Sequence, residues 1–300
     1  MSKNRSTQIL IIIGALALFM PFLGVVNLFD WDEINFAEAA REMIVTGNYS
    51  MVQIDFQPFW EKPPLFFWMQ AASMNLFGVN EFAARFPNAV CGVFTLLALF
   101  RVGNKVFDRQ TGIWWALIYA GSFLPHFYFK SGIIDPWFNL FIFLGVVHSI
   151  YVVSDISASR IKDVILAGMF IGLAVMTKGP VALLIFMLTY GIYLLITRFK
   201  NSMVTIKQLG LFLLSMVAVG GIWFLIEYIN GRGYIIADFI IYQIRLLKTQ
   251  DAGHGGPFYY HFVVLLIGCF PASVFAIRAF RKKYGRDDQK GIFIYWMKIL

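Results

Sequence analysis

The sequence predicts an all-α polytopic membrane protein, and three observations carry that expectation. Of its 300 residues 59% are hydrophobic and 14% charged, against about 25% charged in an ordinary soluble domain. The mean hydropathy is +0.69, and the apolar residues gather into runs, most of them near the ~17–25 residues that cross a bilayer. Basic and acidic connections alternate from one run to the next, as the positive-inside rule requires of a multispan chain. The net charge of +8 is therefore topological and is not a nucleic-acid footprint.

Eight runs are expected to span, at 8–29, 82–100, 112–129, 137–153, 164–177, 181–197, 208–228 and 259–277, and a ninth begins near Ile292. The first follows Lys3 and Arg5 in the charge order of a signal peptide. It is longer than the usual h-region and lacks a small-x-small cleavage site, so it reads as a retained anchor. Lys3, Arg5, Arg101, Lys105, Arg109, Arg160, Lys162, Arg198 and Lys207 fall on one side, which places the N-terminus in the cytoplasm. The other connections hold most of the acids and are expected outside. Cys91 and Cys269 lie inside apolar runs and form no disulfide framework. No internal repeat or low-complexity tract is present.

The connection from Asp30 to Pro64 organises the rest. Asp30 and Glu33 have the spacing of a helix start, and the helix is expected to run to about Val45, before Thr46-Gly47-Asn48. Phe36, Ala37, Ala40, Met43 and Ile44 share one face, so this helix should lie along the membrane surface. Tyr49 to Trp60 reads as extended or irregular. Glu61-Lys62-Pro63-Pro64 then opens a second helix, from Leu65 to about Phe77, because proline is tolerated in a first turn. Further polar residues recur at the same expected face: Lys130 to Pro136, Thr177-Lys178-Gly179-Pro180, and a loop over 230–257 with Arg232, Arg245 and His254.

Ionisable residues at a membrane edge are costly and mark function by default. Acids beside bases suit chemistry with a phosphate leaving group: cations hold the phosphate, and a carboxylate deprotonates an attacking hydroxyl or steadies positive charge on a sugar. Trp31, Phe36, Trp60 and Trp68 offer apolar faces on which a sugar ring could pack. Each residue also has a plainer reading. Asp32 and Glu33 suit a helix dipole, Glu61 and Lys62 a surface pair, Asp135 a helix cap, and Lys178 a snorkelling lysine. Arg41 and Arg85 are expected to pair with Glu38 and Glu81. His126, His148 and His261 are expected to be packing residues without an acid partner.

Six blocks occur in order: DEINFAE, AREM before Gly47, EKPP, FGVNEFAARFP, IIDP and TKGP. Together they resemble the aminoarabinose-transferase-like, dolichyl-phosphate-mannose-protein-mannosyltransferase-related membrane glycosyltransferases, which are of the GT-C type. The resemblance implies a GT-C transmembrane core over 1–300 with juxtamembrane helices in an outer catalytic loop, 30–81, and a second outer loop at 230–257. It implies Asp32 as the catalytic carboxylate, with Asp135 and Glu33 as further acids. Lys62, Arg245 and Lys178 would face the lipid phosphate, and Glu61 would ligate a divalent metal. The implied donor is a polyprenyl-phosphate-linked sugar. The acceptor is a glycolipid such as lipid A, a glycan or a protein, at the extracytoplasmic face of the cytoplasmic membrane.

The sequence departs from the family in two ways. No histidine stands just upstream of Arg245, which leaves His254 as a substitute metal ligand. The chain also stops as an apolar run begins, where family members continue into further spans and an outer domain. Two rival readings stay open: a transporter or flippase for a lipid-linked sugar, and a non-catalytic binder of polyprenyl phosphate.

Overall fold

The computed structural model describes residues 3–29, 31–199, 205–248, 259–281 and 289–300. Helix α1 (Lys3–Phe19) stops two residues before Pro21, which cannot continue it. Next, α2 (Asp32–Thr46) ends on Gly47, whose φ of 68° is the left-handed cap that glycine adopts without strain. The expected irregular stretch holds a short antiparallel hairpin, β1 (Gln53–Ile54) and β2 (Gln57–Pro58), with Ile54 opposite Gln57. Its turn residues Asp55 and Phe56 both have positive φ, 56° and 55°, as a two-residue hairpin loop requires. The second surface helix follows as α3 (Leu65–Phe77).

The long helix α4 (Glu81–Val106) starts at Asn80, whose side chain accepts the Ala83 N–H at 2.9 Å. It turns back into α5 (Arg109–Ala120), followed by α6 (Phe123–Phe129), α7 (Asp135–Val153), α8 (Arg160–Lys178) and α9 (Val181–Ile196). After α10 (Ile206–Gly220) and α11 (Ile222–Ile229) come α12 (Gly233–Lys248), α13 (Tyr260–Gly268), α14 (Ala272–Arg281) and α15 (Gln289–Ile299).

By length and composition α4 and α7 can cross a membrane alone, and α10 with α11 makes a third crossing bent by 52°. The expected third, seventh and eighth runs are thus not single helices. They break at Gly121-Ser122, at Gly221 and at Cys269-Phe270-Pro271, where glycine or proline weakens a helix. The fifth run, expected to be short, is the 19-residue α8.

Small residues let the helices approach closely. A Cβ on Gly103 would lie 2.6 Å from the Cα of Gly112, so the α4–α5 hairpin closes backbone to backbone. One core joins α7, α8, α9 and α15 through Val146, Ile150, Ile171, Ala182, Tyr193 and Trp296. A second joins α1, α4 and α6 through Phe19, Ala89, Phe100 and Phe129. The two surface helices share a smaller core of Phe36, Ala39, Met43, Phe66 and Phe67, which also takes in Ile134.

The two ends of the bundle differ in charge. At one end Arg109 donates to Thr7 Oγ1 at 2.7 Å and Arg101 to Gln8 at 3.0 Å, so the start of α1 meets the α4–α5 turn. The α7–α8 turn holds the Arg160–Asp155 pair at 2.7 Å. There His148, expected to lack an acid partner, has one: its Nδ1 lies 2.6 Å from Asp163, which also accepts from the Ser157 hydroxyl. The sequence hid this pair because Asp163 faces the last turns of α7 only once α8 has folded back. The opposite end carries Asp32, Lys62, Asp135 and Lys178.

Candidate active site

The site rests on a buried clamp. Glu33, 1% exposed, points inward from the first turn of α2 and pairs with Arg85 of α4, with Nε–Oε1 and Nη2–Oε2 both at 2.8 Å. Its two oxygens also accept the backbone N–H groups of Gly132 at 2.5 Å and Phe29 at 2.6 Å. Arg85 spends its remaining donors on the carbonyls of Leu23, Val26 and Asn27. Four acceptor positions and five donors are thereby filled. This removes Glu33 from the expected catalytic acids, because no acceptor position on it is open to a substrate. It also corrects the partner of Arg85, which is Glu33 and not Glu81. Arg41 pairs with Glu38 at 2.6 Å as expected.

The same clamp seats the loop that carries Asp135. A Cβ on Gly132 would crowd the Glu33 side chain at 3.1 Å and the Ala84 carbonyl at 3.2 Å, so a larger residue there would push on the clamp. Asn88 donates to the carbonyls of Ser131 and Ile133, both at 2.6 Å, and Gln70 to those of Ala84 and Gly132. Asp135 then opens α7, and its Oδ1 takes the ammonium of Lys178 at 2.7 Å. The two blocks IIDP and TKGP, 43 residues apart, thus meet as an ion pair whose members are about one-third exposed.

Asp32 stands beside Glu33 at the start of α2 but faces outward and is exposed. Trp31 before it has φ 68° and ψ −101°, a left-handed backbone that a tryptophan rarely adopts. No side-chain hydrogen bond or ion pair to Asp32 is made among the described residues. Lys62 completes the group. Burial pushes its ammonium below the ordinary lysine value near 10.5. Glu61 pulls it back up, Lys178 lowers it further, and Asp32 and Asp135 raise it. Lys62 therefore lies within electrostatic reach of Glu61, Lys178, Asp32 and Asp135.

The second half of the site comes from α12. Tyr242, 9% exposed, donates its hydroxyl to Glu61 Oε2 at 2.9 Å, and the Gln243 amide donates to the Glu61 carbonyl at 3.3 Å. Lys62 and Arg245 both lie over the Tyr242 ring, 5.8 Å and 5.1 Å from its centroid. Gly179 of the TKGP turn has φ 84°, and a Cβ on it would lie 2.9 Å from Phe239 of α12, so only glycine allows the turn to dock there. The first loop is fastened at Ser50. Its carbonyl takes Trp223 Nε1–H at 2.8 Å, and its hydroxyl takes Arg232 at 2.6 Å. Arg232 is itself held by the buried Glu227 at 2.6 Å.

The structure thus gathers Asp32, Glu61, Lys62, Asp135, Lys178 and Arg245 around one end of the bundle and turns Glu33 away. His254 lies outside the described residues, as does Asp30. Sequence reasoning missed Tyr242 and Gln243. The signal for Tyr242 was its place three residues before Arg245, on the same helical face. It also missed Glu42, a second buried carboxylate, whose Oε2 accepts the Phe56 N–H at 2.9 Å and so holds the hairpin turn. Burial raises its carboxyl above the ordinary value.

The implied metal ligands are not all among the described residues, since His254 lies outside them. Among the described residues no three of His, Cys, Asp and Glu converge to hold a cation. The Glu61 carboxylate is engaged by a phenol, and Asp135 by the Lys178 ammonium.

Comparison with known proteins agrees with this architecture. The chain is 26% identical over 277 residues, 90% of its length, to the undecaprenyl phosphate-alpha-4-amino-4-deoxy-L-arabinose arabinosyl transferase of Photorhabdus laumondii. Its fold matches ArnT from Cupriavidus metallidurans, crystallised with undecaprenyl phosphate, at a TM-score of 0.82 and 19% identity over 97% of this chain. The Archaeoglobus fulgidus oligosaccharyltransferase matches at 0.53 and 16% identity, over 93% of this chain and 37% of that one. The expected GT-C-type, helical membrane fold is therefore present. The chain spans about half the length of the transferase relative and of ArnT, 50% and 54%. The model of the dolichyl-phosphate-mannose-protein mannosyltransferases matches residues 61–223, from the EKPP block through α8 and into α11, and the chain belongs to that family.

Proposed function

We propose that the chain is the catalytic core of a membrane glycosyltransferase that moves a sugar from a polyprenyl-phosphate donor to an acceptor at the extracytoplasmic face of the cytoplasmic membrane. The observation that carries this reading is the meeting of one outward-facing carboxylate, Asp32, with three cations from three separate segments, Lys62, Lys178 and Arg245. The acceptor, a glycolipid such as lipid A, a glycan or a protein, presents an oxygen to the anomeric carbon. As that bond forms, the bond from the anomeric carbon to the phosphate oxygen breaks, and its electron pair leaves with the lipid phosphate. Attack comes from the side opposite the phosphate. Asp32 takes the acceptor proton, or orients an acceptor that is already an anion.

Lys62, Lys178 and Arg245 meet the charge that grows on the leaving phosphate, where fixed cations stabilise a transition state most. Asp135 keeps Lys178 aimed at the site. The kinship with the arabinosyl transferases supports a polyprenyl-linked pentose or hexose as donor. The rival transporter reading draws on the three interrupted helices, a device of transporters. The breaks at 121–122, 221 and 269–271 carry no charged residue, so they offer nothing to bind a sugar phosphate. In the test, Asp32→Asn abolishes sugar transfer in membranes while expression and insertion stay at the wild-type level. A fully active Asp32→Asn protein would refute the enzyme.

A further inference from the structure

Tyr242 reaches from α12 to the Glu61–Lys62 segment and so touches both halves of the site. Its ring carries Lys62 of the EKPP connection and Arg245 of its own helix, at 5.8 Å and 5.1 Å, while its hydroxyl holds Glu61 at 2.9 Å. An aromatic ring attracts cations through the negative charge of its face, so two groups that repel each other are both held to one rigid, buried plate. The hydroxyl ties that plate to the Glu61 carboxylate, and the Gln243 amide adds a second tie, to the backbone carbonyl of the same residue. Glu61 is the carboxylate for which the family resemblance implies a metal ion, yet the described donors around it do not form a metal site.

We propose that Tyr242 is the positioning residue that sets Lys62 and Arg245 to grip one lipid-linked phosphate, and that its hydrogen bond to Glu61 does the fastening a metal ion would otherwise do. This rests on the glycosyl-transfer reading. Tyr242 acts through the two cations, and the phosphate oxygens meet those cations directly.

The test uses the purified 300-residue chain in detergent, with undecaprenyl phosphate as probe and dissociation constants measured by native mass spectrometry. Tyr242→Phe keeps the ring and drops the hydroxyl, and is expected to weaken binding about 10-fold, the scale of one hydrogen bond to a charged group. Tyr242→Leu also removes the ring and should weaken it about 100-fold. In Tyr242→Leu binding should also fade at a lower pH than in the wild type, because Lys62 loses a neighbour that favours its charge. Glu61→Gln offers the phenol a neutral oxygen in place of a charged one and should weaken binding measurably but less than Tyr242→Leu does, and a chelator should leave the wild type unchanged. Tyr234→Phe, on an exposed stretch of the same helix, serves as the control. Wild-type affinity in both Tyr242 variants overturns the inference, and Tyr242→Phe does so alone if the leucine variant fails to fold. Loss of binding on chelation, or in Glu61→Gln to the level of Tyr242→Leu, overturns the metal-free fastening. A wild-type chain that binds no undecaprenyl phosphate overturns the proposed function and this inference together.

Discussion

At the residue scale the site turns on what each ionisable group is allowed to do. Asp32 and Glu33 are neighbours, yet one is exposed and the other is 1% exposed with its oxygens filled. Helical geometry makes the difference, since adjacent residues point about 100° apart. Lys62 is the group whose behaviour should vary with pH. Its folded pKa lies below the ordinary value near 10.5, so between the two the unfolded chain binds more protons and folding stability rises with pH. Phosphate binding runs the other way, because the neutral amine gives up its charge. Affinity for undecaprenyl phosphate is therefore expected to fall on the alkaline side, before an ordinary lysine would titrate. In Lys62→Arg that fall should vanish, since guanidinium stays protonated. Identical pH profiles for the two proteins would remove Lys62 from the phosphate site.

At the element scale the clamp between α2, α4 and the Gly132 loop is a buried ion pair with its donors and acceptors filled. Removing one partner of a buried pair leaves a bare charge and costs about 3–5 kcal/mol. Glu33→Gln should thus lower the unfolding temperature in detergent markedly, with transfer lost only as folded protein is lost. A Glu33→Gln protein that melts like wild type but transfers nothing would return Glu33 to the chemistry. The surface helices were legible in the sequence to within a residue, because Gly47, Pro64 and Gly78 mark their ends. Asp135 and Lys178 were legible as parts of two blocks, though not as a pair. The clamp was not legible: Glu33 and Arg85 lie 52 positions apart, and an acid in a first turn looks the same whether it faces water or a guanidinium. Tyr242 was hidden because 230–257 reads as a loop, whereas residues Gly233–Lys248 of it fold as α12. The breaks at Gly121, Gly221 and Pro271 were hidden because a hydropathy run averages over them.

At the scale of the whole molecule, charge sorts the ends of the helices and glycine sets their spacing. Lys178, Asp135, Lys62 and Asp32 share one end, while Arg101, Arg109 and Arg160 share the other. Alternation in the sequence foretold this, and the α7–α8 hairpin shows why it must hold: a helix that returns brings its far end level with its partner's start. The two walls of the site are nonetheless built with unequal firmness. The wall of α2, α4 and the Gly132 loop is locked by a saturated buried ion pair. The wall of α12 is attached through Tyr242, Gln243 and the Phe239–Gly179 contact, with an outward face of Ile240, Ile241 and Ile244. Regions with fewer buried contacts open at lower free energy. Amide exchange should accordingly be fast along α12 and slow along α2 and the first turns of α4, and added undecaprenyl phosphate should slow α12 alone. Equal exchange on both walls would remove the distinction. The clamped wall then acts as a jamb and α12 as a door, and a lipid-linked donor of the kind proposed is expected to enter past the exposed isoleucines of α12.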